Sequence, residues 1–266
     1  MTFVDYLVHD LLLTRRSKVG RTVFAALGLA PLAGVGLSFV LSNDTLTARF
    51  VLLSMWLVVS GVVPIVAILG SAAAISGNRE SGRLRLVLGS PTAQADVFFG
   101  TFAARLLLVQ FALLVGLSVA VALMIVLSLP MALGRLGGFL LFTPLMATAY
   151  VSLGVAASTT SRTQLRSLSL GVAAFVATLA WPQAATVLAD VFESLSGITL
   201  SDTLVHFVGT LSPFGAYAQA IGDGEAIYGM AASTPLLRSG AMGLVLLLWV
   251  VAPLVFGYQQ FVTADV

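Results

Sequence analysis

Long apolar runs broken by short charged clusters set the pattern of this chain. Six intervals hold no Asp, Glu, Lys or Arg: 22–43, 50–78, 106–134, 136–161, 167–189 and 239–264. The shortest is 22 residues, and about 20 apolar residues suffice to cross a bilayer core of about 30 Å. Within the runs the apolar positions do not alternate, so they suit helices rather than lipid-facing strands. The pattern predicts an all-α polytopic membrane protein, a single transmembrane domain over 1–266. Its six transmembrane helices are expected near 22–41, 51–75, 98–127, 138–158, 167–188 and 240–260. The third is expected to begin before Arg105, whose long side chain can reach back to the headgroups.

The segments between the runs predict smaller elements. Over residues 3–13, Phe3, Val4, Leu7, Val8, Leu11 and Leu12 recur at i, i+3 and i+4, with Asp5, Tyr6, His9 and Asp10 on the other face. Arg15, Arg16 and Lys18 follow at once. This reads as an N-terminal amphipathic helix within 1–20, lying in the interface and anchored by cations at the headgroups. The loop 77–96 is polar at Arg79, Glu80, Ser81, Gly82 and Arg83, then apolar at helical spacing from Leu84 through Arg85 to Leu88, and it is closed by Gly89 and Pro91. A short helix over 79–88 is expected there. A second loop, 158–167, carries Arg162 and Arg166. The segment 190–237 has five acids and no base before Arg238. A surface helix along Val187, Leu188, Val191, Phe192 and Leu195 should continue past the fifth span. The charge-free stretch 203–222 admits a seventh span, a re-entrant pair of short helices or a surface-lying pair, with a turn at Leu211-Ser212-Pro213.

Composition sharpens this picture. Charged residues make up 9% of the chain, apolar residues 59%, and the mean hydropathy is +1.05. A soluble domain carries about 25% charge and could not hide so much apolar surface. Ten of the 13 basic residues fall on the side that also receives the N-terminus, against Arg49, Arg135 and Arg238 on the other. The positive-inside bias then places both termini in the cytoplasm. Trp56 and Trp181 are expected at the outer interface and Tyr258 at the inner one. All but one of the basic residues are arginine, a usage that points to a GC-rich prokaryotic host and hence to its plasma membrane. The pI near 9.3 reflects the basic loops, not nucleic-acid binding. A cleavable signal peptide is not expected, because the first apolar run starts late and is too long.

Several chemistries lack their residues. Cysteine is absent, so thiolate metal sites, disulfides and cysteine nucleophiles are excluded. The two histidines, His9 and His206, are far apart, and His206 reads as a lone outer-surface residue. No zinc motif is present and no span holds a carboxylate, so no catalytic residue is assigned and catalysis by this chain alone is not expected. Methionines show no M-x-x-M spacing and read as core filling. No ionisable group lies at depth to run a proton-coupled carrier. The only lysine, Lys18, has no glycine frame before it, so no P-loop binds ATP here. A nucleotide-driven mechanism therefore needs a second polypeptide, and no cofactor of this chain's own is expected.

The layout and the loop together resemble the permease subunits of type-2 ABC transporters, exporter-like. The stretch Arg79-Glu80-Ser81-Gly82-Arg83-Leu84-Arg85-Leu86-Val87-Leu88, then Pro91, Asp96 and Gly100, is similar to the family's pattern before span three. Leu153-Gly154 through Ser161-Arg162-Thr163-Gln164 resembles its second inner loop, and Leu211-Ser212-Pro213-Phe214 its turn before the last span. Thr101 departs from the pattern, where a lysine often follows the glycine. Within the family the layout looks closest to permeases associated with copper-dependent nitrous-oxide reductase maturation. The resemblance implies two permease copies sharing a pathway and two separate ATPase subunits docking from the cytoplasm. The helix near 79–88 would be the coupling helix, with Arg79, Glu80, Ser81, Gly82, Arg83, Leu84, Arg85 and Arg162 toward the ATPase. Two rival readings stand beside it: a structural or assembly protein whose 190–237 segment recruits an extracytoplasmic partner, and an intramembrane enzyme using a hydroxyl site.

Overall fold

The computed structural model describes residues 3–42, 46–84, 93–221 and 235–263, and every regular element among them is helical. In chain order these are α1 (Phe3–Arg16), α2 (Lys18–Leu41), α3 (Ala48–Ser71), α4 (Ser76–Glu80), α5 (Gln94–Val126), α6 (Leu133–Thr160), α7 (Gln164–Ser196), α8 (Asp202–Gly209), α9 (Pro213–Ala220) and α10 (Ser239–Thr263), with a 3-10 turn at Pro235–Leu237 before the last. Six of them, α2, α3 with α4, α5, α6, α7 and α10, are long and apolar enough to cross a membrane. The six expected spans are all present, and each runs slightly past its expected bounds at one end or both, apart from 51–75, whose continuous helix stops at Ser71. The interval 203–222 adds no seventh.

Two helices are longer than a bilayer needs. At 1.5 Å per residue, the 33 residues each of α5 and α7 extend about 50 Å, against a hydrocarbon core of about 30 Å. The excess of α5 lies at its start and carries Asp96 and Arg105. That of α7 lies at its end, so the surface helix expected after the fifth span is a direct continuation of it. The left-handed Gly197, φ 68°, stops it. The stripe Val187, Leu188, Val191, Phe192 and Leu195 is exposed along its whole length.

Helices α3 and α6 form the centre. Helix α2 packs on α3 and α5, and α10 closes over α6. Glycines permit the closest crossings: a Cβ on Gly116 would stand 2.5 Å from the Gly28 carbonyl oxygen, and one on Gly34 would stand 2.5 Å from the Met55 Cα. Small residues replace the hydrophobic effect as the means of bringing helices together in lipid. Hydroxyls then bridge across: Tyr217 to Thr143 at 2.8 Å and Tyr150 to Thr178 at 2.9 Å. Gln110 of α5 donates to the Pro144 carbonyl and to Thr148 of α6, both at 2.8 Å.

The arginine-rich end of the bundle carries α1, α4 and the α6–α7 turn. The opposite end carries α8 and α9. There Ser212 caps α9 by accepting from the Gly215 amide, and Pro213 occupies its first turn. All eight residues of α9 are buried against α6, α7 and α10. Trp181 of α7 donates to the Val208 carbonyl and Trp249 of α10 to that of Leu211, at 2.8 and 2.7 Å, so two indoles hold the α8–α9 turn. Helix α9 thus enters the bundle, whereas α8 buries only His206 and Gly209. One expectation fails here: His206 is buried with Gln219 at 3.3 Å rather than exposed. Trp56 is buried against the Phe214 ring of α9. Tyr258 packs at a tilt against the rings of Phe98 and Phe99.

Helix α1 has its expected length and turns its apolar face outward, as an interfacial helix does, but its polar face, expected in water, packs on the protein instead. It buries Tyr6, Asp10 and Thr14 against α5 and leaves Val4, Val8 and Leu12 exposed. In a membrane protein the apolar face meets lipid and the polar face meets protein, the reverse of a soluble amphipathic helix.

Candidate functional site

The polar chemistry of the described residues gathers at the arginine-rich end, around the turn that follows α3. Helix α3 closes at Ser71, four residues turn, and α4 begins. Its leading amides, Ile75 N–H and Ser76 N–H, both donate to the Ser158 hydroxyl in the last turn of α6, at 2.8 and 2.9 Å. A short helix thus receives its cap from a residue some 80 positions away.

Three charged side chains leave this turn in three directions. Arg79 donates through one Nη to the carbonyls of Thr159 and Ser161, at 3.2 Å each. Those carbonyls close α6, where orphan acceptors and the negative end of the helix dipole favour a cation. Glu80 accepts from the Gln164 amide at 2.9 Å, the first N–H of the 33-residue α7 and the positive end of its dipole. Arg83 donates to Nε2 of His9 in α1 at 2.9 Å, which requires that nitrogen to be unprotonated. One turn therefore fastens α1, α6 and α7 together.

The expected 79–88 helix is divided. Helix α4 ends at Glu80, and Gly82 takes φ 72°, a conformation glycine adopts without cost. Helical backbone resumes at Arg83 and Leu84. Of the residues assigned to docking, Glu80, Ser81, Arg83 and Arg162 are exposed and Gly82 is half-buried. Leu84 is 2% exposed and belongs to the core, and Arg79 is half-buried over α6. Burial removes Leu84 from any approaching surface, whereas Arg79 keeps part of its side chain accessible. Arg85 lies outside the described residues, as do 86–92. Arg162 and Arg166 are exposed beside Leu165, which is 75% exposed.

A second polar cluster joins α1 to α5, and no single segment of sequence signals it. Arg105 is not extended to the headgroups. It lies 3.5 Å from the Asp10 carboxylate, both side chains largely buried, and donates to the Thr14 hydroxyl. Thr101 donates to the Val97 carbonyl at 2.8 Å and its hydroxyl accepts from that of Tyr6 at 3.3 Å. A Cβ on Gly100 would stand 2.7 Å from the Tyr6 ring, so that glycine lets the ring lie on α5. Thr101 is fully buried, which accounts for a short hydroxyl where a lysine was expected. The residues that meet α5, Tyr6, Asp10 and Thr14, recur at i and i+4 along α1, the one signal the sequence offers of this pairing.

Burial pushes the Asp10 carboxyl above its usual range, against the opposing pull of Arg105, Arg83 and His9. Burial likewise raises the Tyr6 phenol. A raised folded-state value means that the native protein holds the Asp10 proton more tightly than the unfolded chain does. The associated stability is present below the ordinary value of 3.8 and is lost as pH rises through the raised one. Thermal unfolding of the purified protein in a pH series rising from 3.8 should show this decline. Asp10→Asn should flatten the slope in that window, and an unchanged slope would assign it to another group.

Residues 12–266 match the family described as ABC-2 family transporter protein. No curated protein matches the chain.

Proposed function

We propose a mechanism from one premise: the chain belongs to the ABC-2 family of transporter membrane proteins and is therefore a permease subunit, whose family implies an ABC ATPase as partner. In this reading the arginine-rich end faces the cytoplasm of a prokaryotic cell, with both termini there, and two copies of the permease form the pathway. Separate ATPase subunits bind and hydrolyse ATP. They dock on the exposed part of the turn after α3, Glu80, Ser81, Gly82 and Arg83, with Arg162 from the second loop beside it.

The observation that carries this reading is the three-way fastening at that turn. A docking helix transmits force only if it is tied to the elements it must move. Here Ser158 holds the start of α4, Arg79 grips the end of α6, Glu80 caps α7 and Arg83 reaches α1. Closure of an ATPase pair beneath the turn would displace those elements as a rigid body and re-pack the spans of one copy against those of the other. The lack of any ionisable group deep in the spans agrees with energy supplied from outside the chain, and it favours an apolar or amphipathic cargo. The likeness to copper-maturation permeases rests on layout; among the described residues no group of metal-binding side chains gathers, and no copper step is assigned.

Affinity purification from native membranes, with identification of the bound subunits, tests the reading. Co-purification of an ABC ATPase, weakened by Glu80→Lys with Arg83→Glu, is the expected result. Isolation of a stable monomer without ATPase overturns it. Recovery of an extracytoplasmic protein bound to 190–237, again without ATPase, would replace it with the assembly role.

A further inference from the structure

The joint between α1 and α2 carries three arginines that the transport reading leaves unused. Helix α1 ends at Arg16, Ser17 is the only residue between, and α2 starts at Lys18. The joint is tightly made. The Ser17 hydroxyl donates to the Thr14 carbonyl at 2.7 Å and accepts from the Gly20 amide at 2.9 Å. A Cβ on Gly20 would stand 1.9 Å from the Thr14 carbonyl oxygen, so only glycine lets the two helices meet this closely. The side chains on either side of the corner are thereby held in one place. Arg15 and Arg16 from α1 and Arg21 from α2 line a recess of about 450 Å³ together with Leu12.

We propose that this recess binds the phosphate of one anionic phospholipid. The charge points to an anion. No acidic residue lines the recess. Arg79, Arg83 and Arg105 all have partners, whereas no ion pair or side-chain hydrogen bond engages Arg15, Arg16 or Arg21 among the described residues. Three clustered guanidiniums repel one another unless a counter-charge sits among them, and the planar fork of arginine matches the oxygens of a phosphate. The surroundings point to a lipid rather than a soluble anion. Leu12 and Val8 of α1 and Val19 of α2 are exposed around the corner, at the start of a membrane span, where acyl chains can lie against them while the phosphate meets the arginines. Lys18, expected among the anchoring cations, does not line the recess; Arg21 takes that place.

The test uses the full chain, delipidated and returned to bilayers of phosphatidylcholine with about one-fifth phosphatidylglycerol, a mixture that gives a moderate anionic surface potential. Anionic lipid retained on release into detergent is counted by native mass spectrometry. The wild type should keep one phosphatidylglycerol. The charge-preserving variant R15K/R16K/R21K should lose it at least tenfold while still binding the same vesicles, because a diffuse surface attraction depends on charge and a phosphate site on the guanidinium fork. K18Q should keep the lipid. Equal retention by the triple variant, or an equal loss in K18Q, would reduce the recess to general surface charge and overturn the proposal. So would displacement of the lipid by millimolar inorganic phosphate, which would mark a soluble-anion site.

Discussion

Replacing Arg79 with alanine should release the first loop from the end of α6 and separate ATP hydrolysis from transport. Its guanidinium is the only described side chain that spans from α4 to the closing carbonyls of α6, contacting both Thr159 and Ser161. A hydrogen bond to a charged group contributes about 1.5–3 kcal/mol, and each step of about 1.4 kcal/mol is tenfold in an equilibrium. The amides of Ile75 and Ser76, held by Ser158 two residues from Thr160, should then exchange with solvent about ten- to a hundredfold faster. In the assembled transporter, hydrolysis should persist while transport falls at least tenfold. Arg79→Lys should recover part of both, since an ammonium can reach one carbonyl but not fork across two. Unchanged exchange at Ile75 and Ser76 together with normal transport would show that the grip transmits nothing.

The second large effect concerns the fold. Gly116→Leu should fail to give a monodisperse protein, because the new side chain would enter the space of the α2 backbone. Even alanine places a Cβ 2.5 Å from the Gly28 oxygen and 2.9 Å from its Cα. Backbone atoms cannot rotate aside, so the whole of α2 must shift. Overpacking of this kind costs about 1–3 kcal/mol. Gly116→Ala should therefore lower the melting temperature in detergent, by about 2–4 °C for each kcal/mol lost in a chain of this size. Gly36→Ala is the matched control: it lies in the same α2, and a Cβ there meets nothing within 4 Å. Equal behaviour of the two alanine variants would contradict the close crossing of α2 and α5.

How much of this could be read from sequence differs from one element to the next. Charge scarcity is a local property, so the six spans followed directly from the charge-free runs. The turn at Leu211-Ser212-Pro213 was equally legible, because its cap and its proline are neighbours in the chain. The seat of the polar face of α1 was not. A helical wheel separates the two faces and sends the apolar one to lipid, but it cannot say whether the polar one meets water or protein. Helix α9 was open in a related way: its glycine and glutamine suit a surface as well as an interior, and here they are buried inside the bundle. The turn after α3 stood out by its residue types, but not the contact each residue makes. Arg79 and Glu80 look alike as solvated charges until their partners, more than 75 positions along the chain, are brought beside them. The break at Gly82 fell inside a stretch whose leucine spacing reads as continuous helix.

The joining of α1 to α5 bears on how the protein is made. Tyr6 meets Thr101, 95 residues further along, and chains grow at about 5–20 residues per second. Helix α1 is therefore complete roughly 5–20 seconds before its docking surface has been synthesised. In that interval it can rest only by its apolar face on the bilayer, with Asp10 still in water and α2 already inserting. Arg105 is then the cue for closure, since the carboxylate leaves water only when the guanidinium arrives. Bilayer insertion of the first two spans and seating of the N-terminal helix are thus separate events. A ribosome stalled before α5 emerges should leave residues 3–16 open to protease, and one stalled after it should protect them.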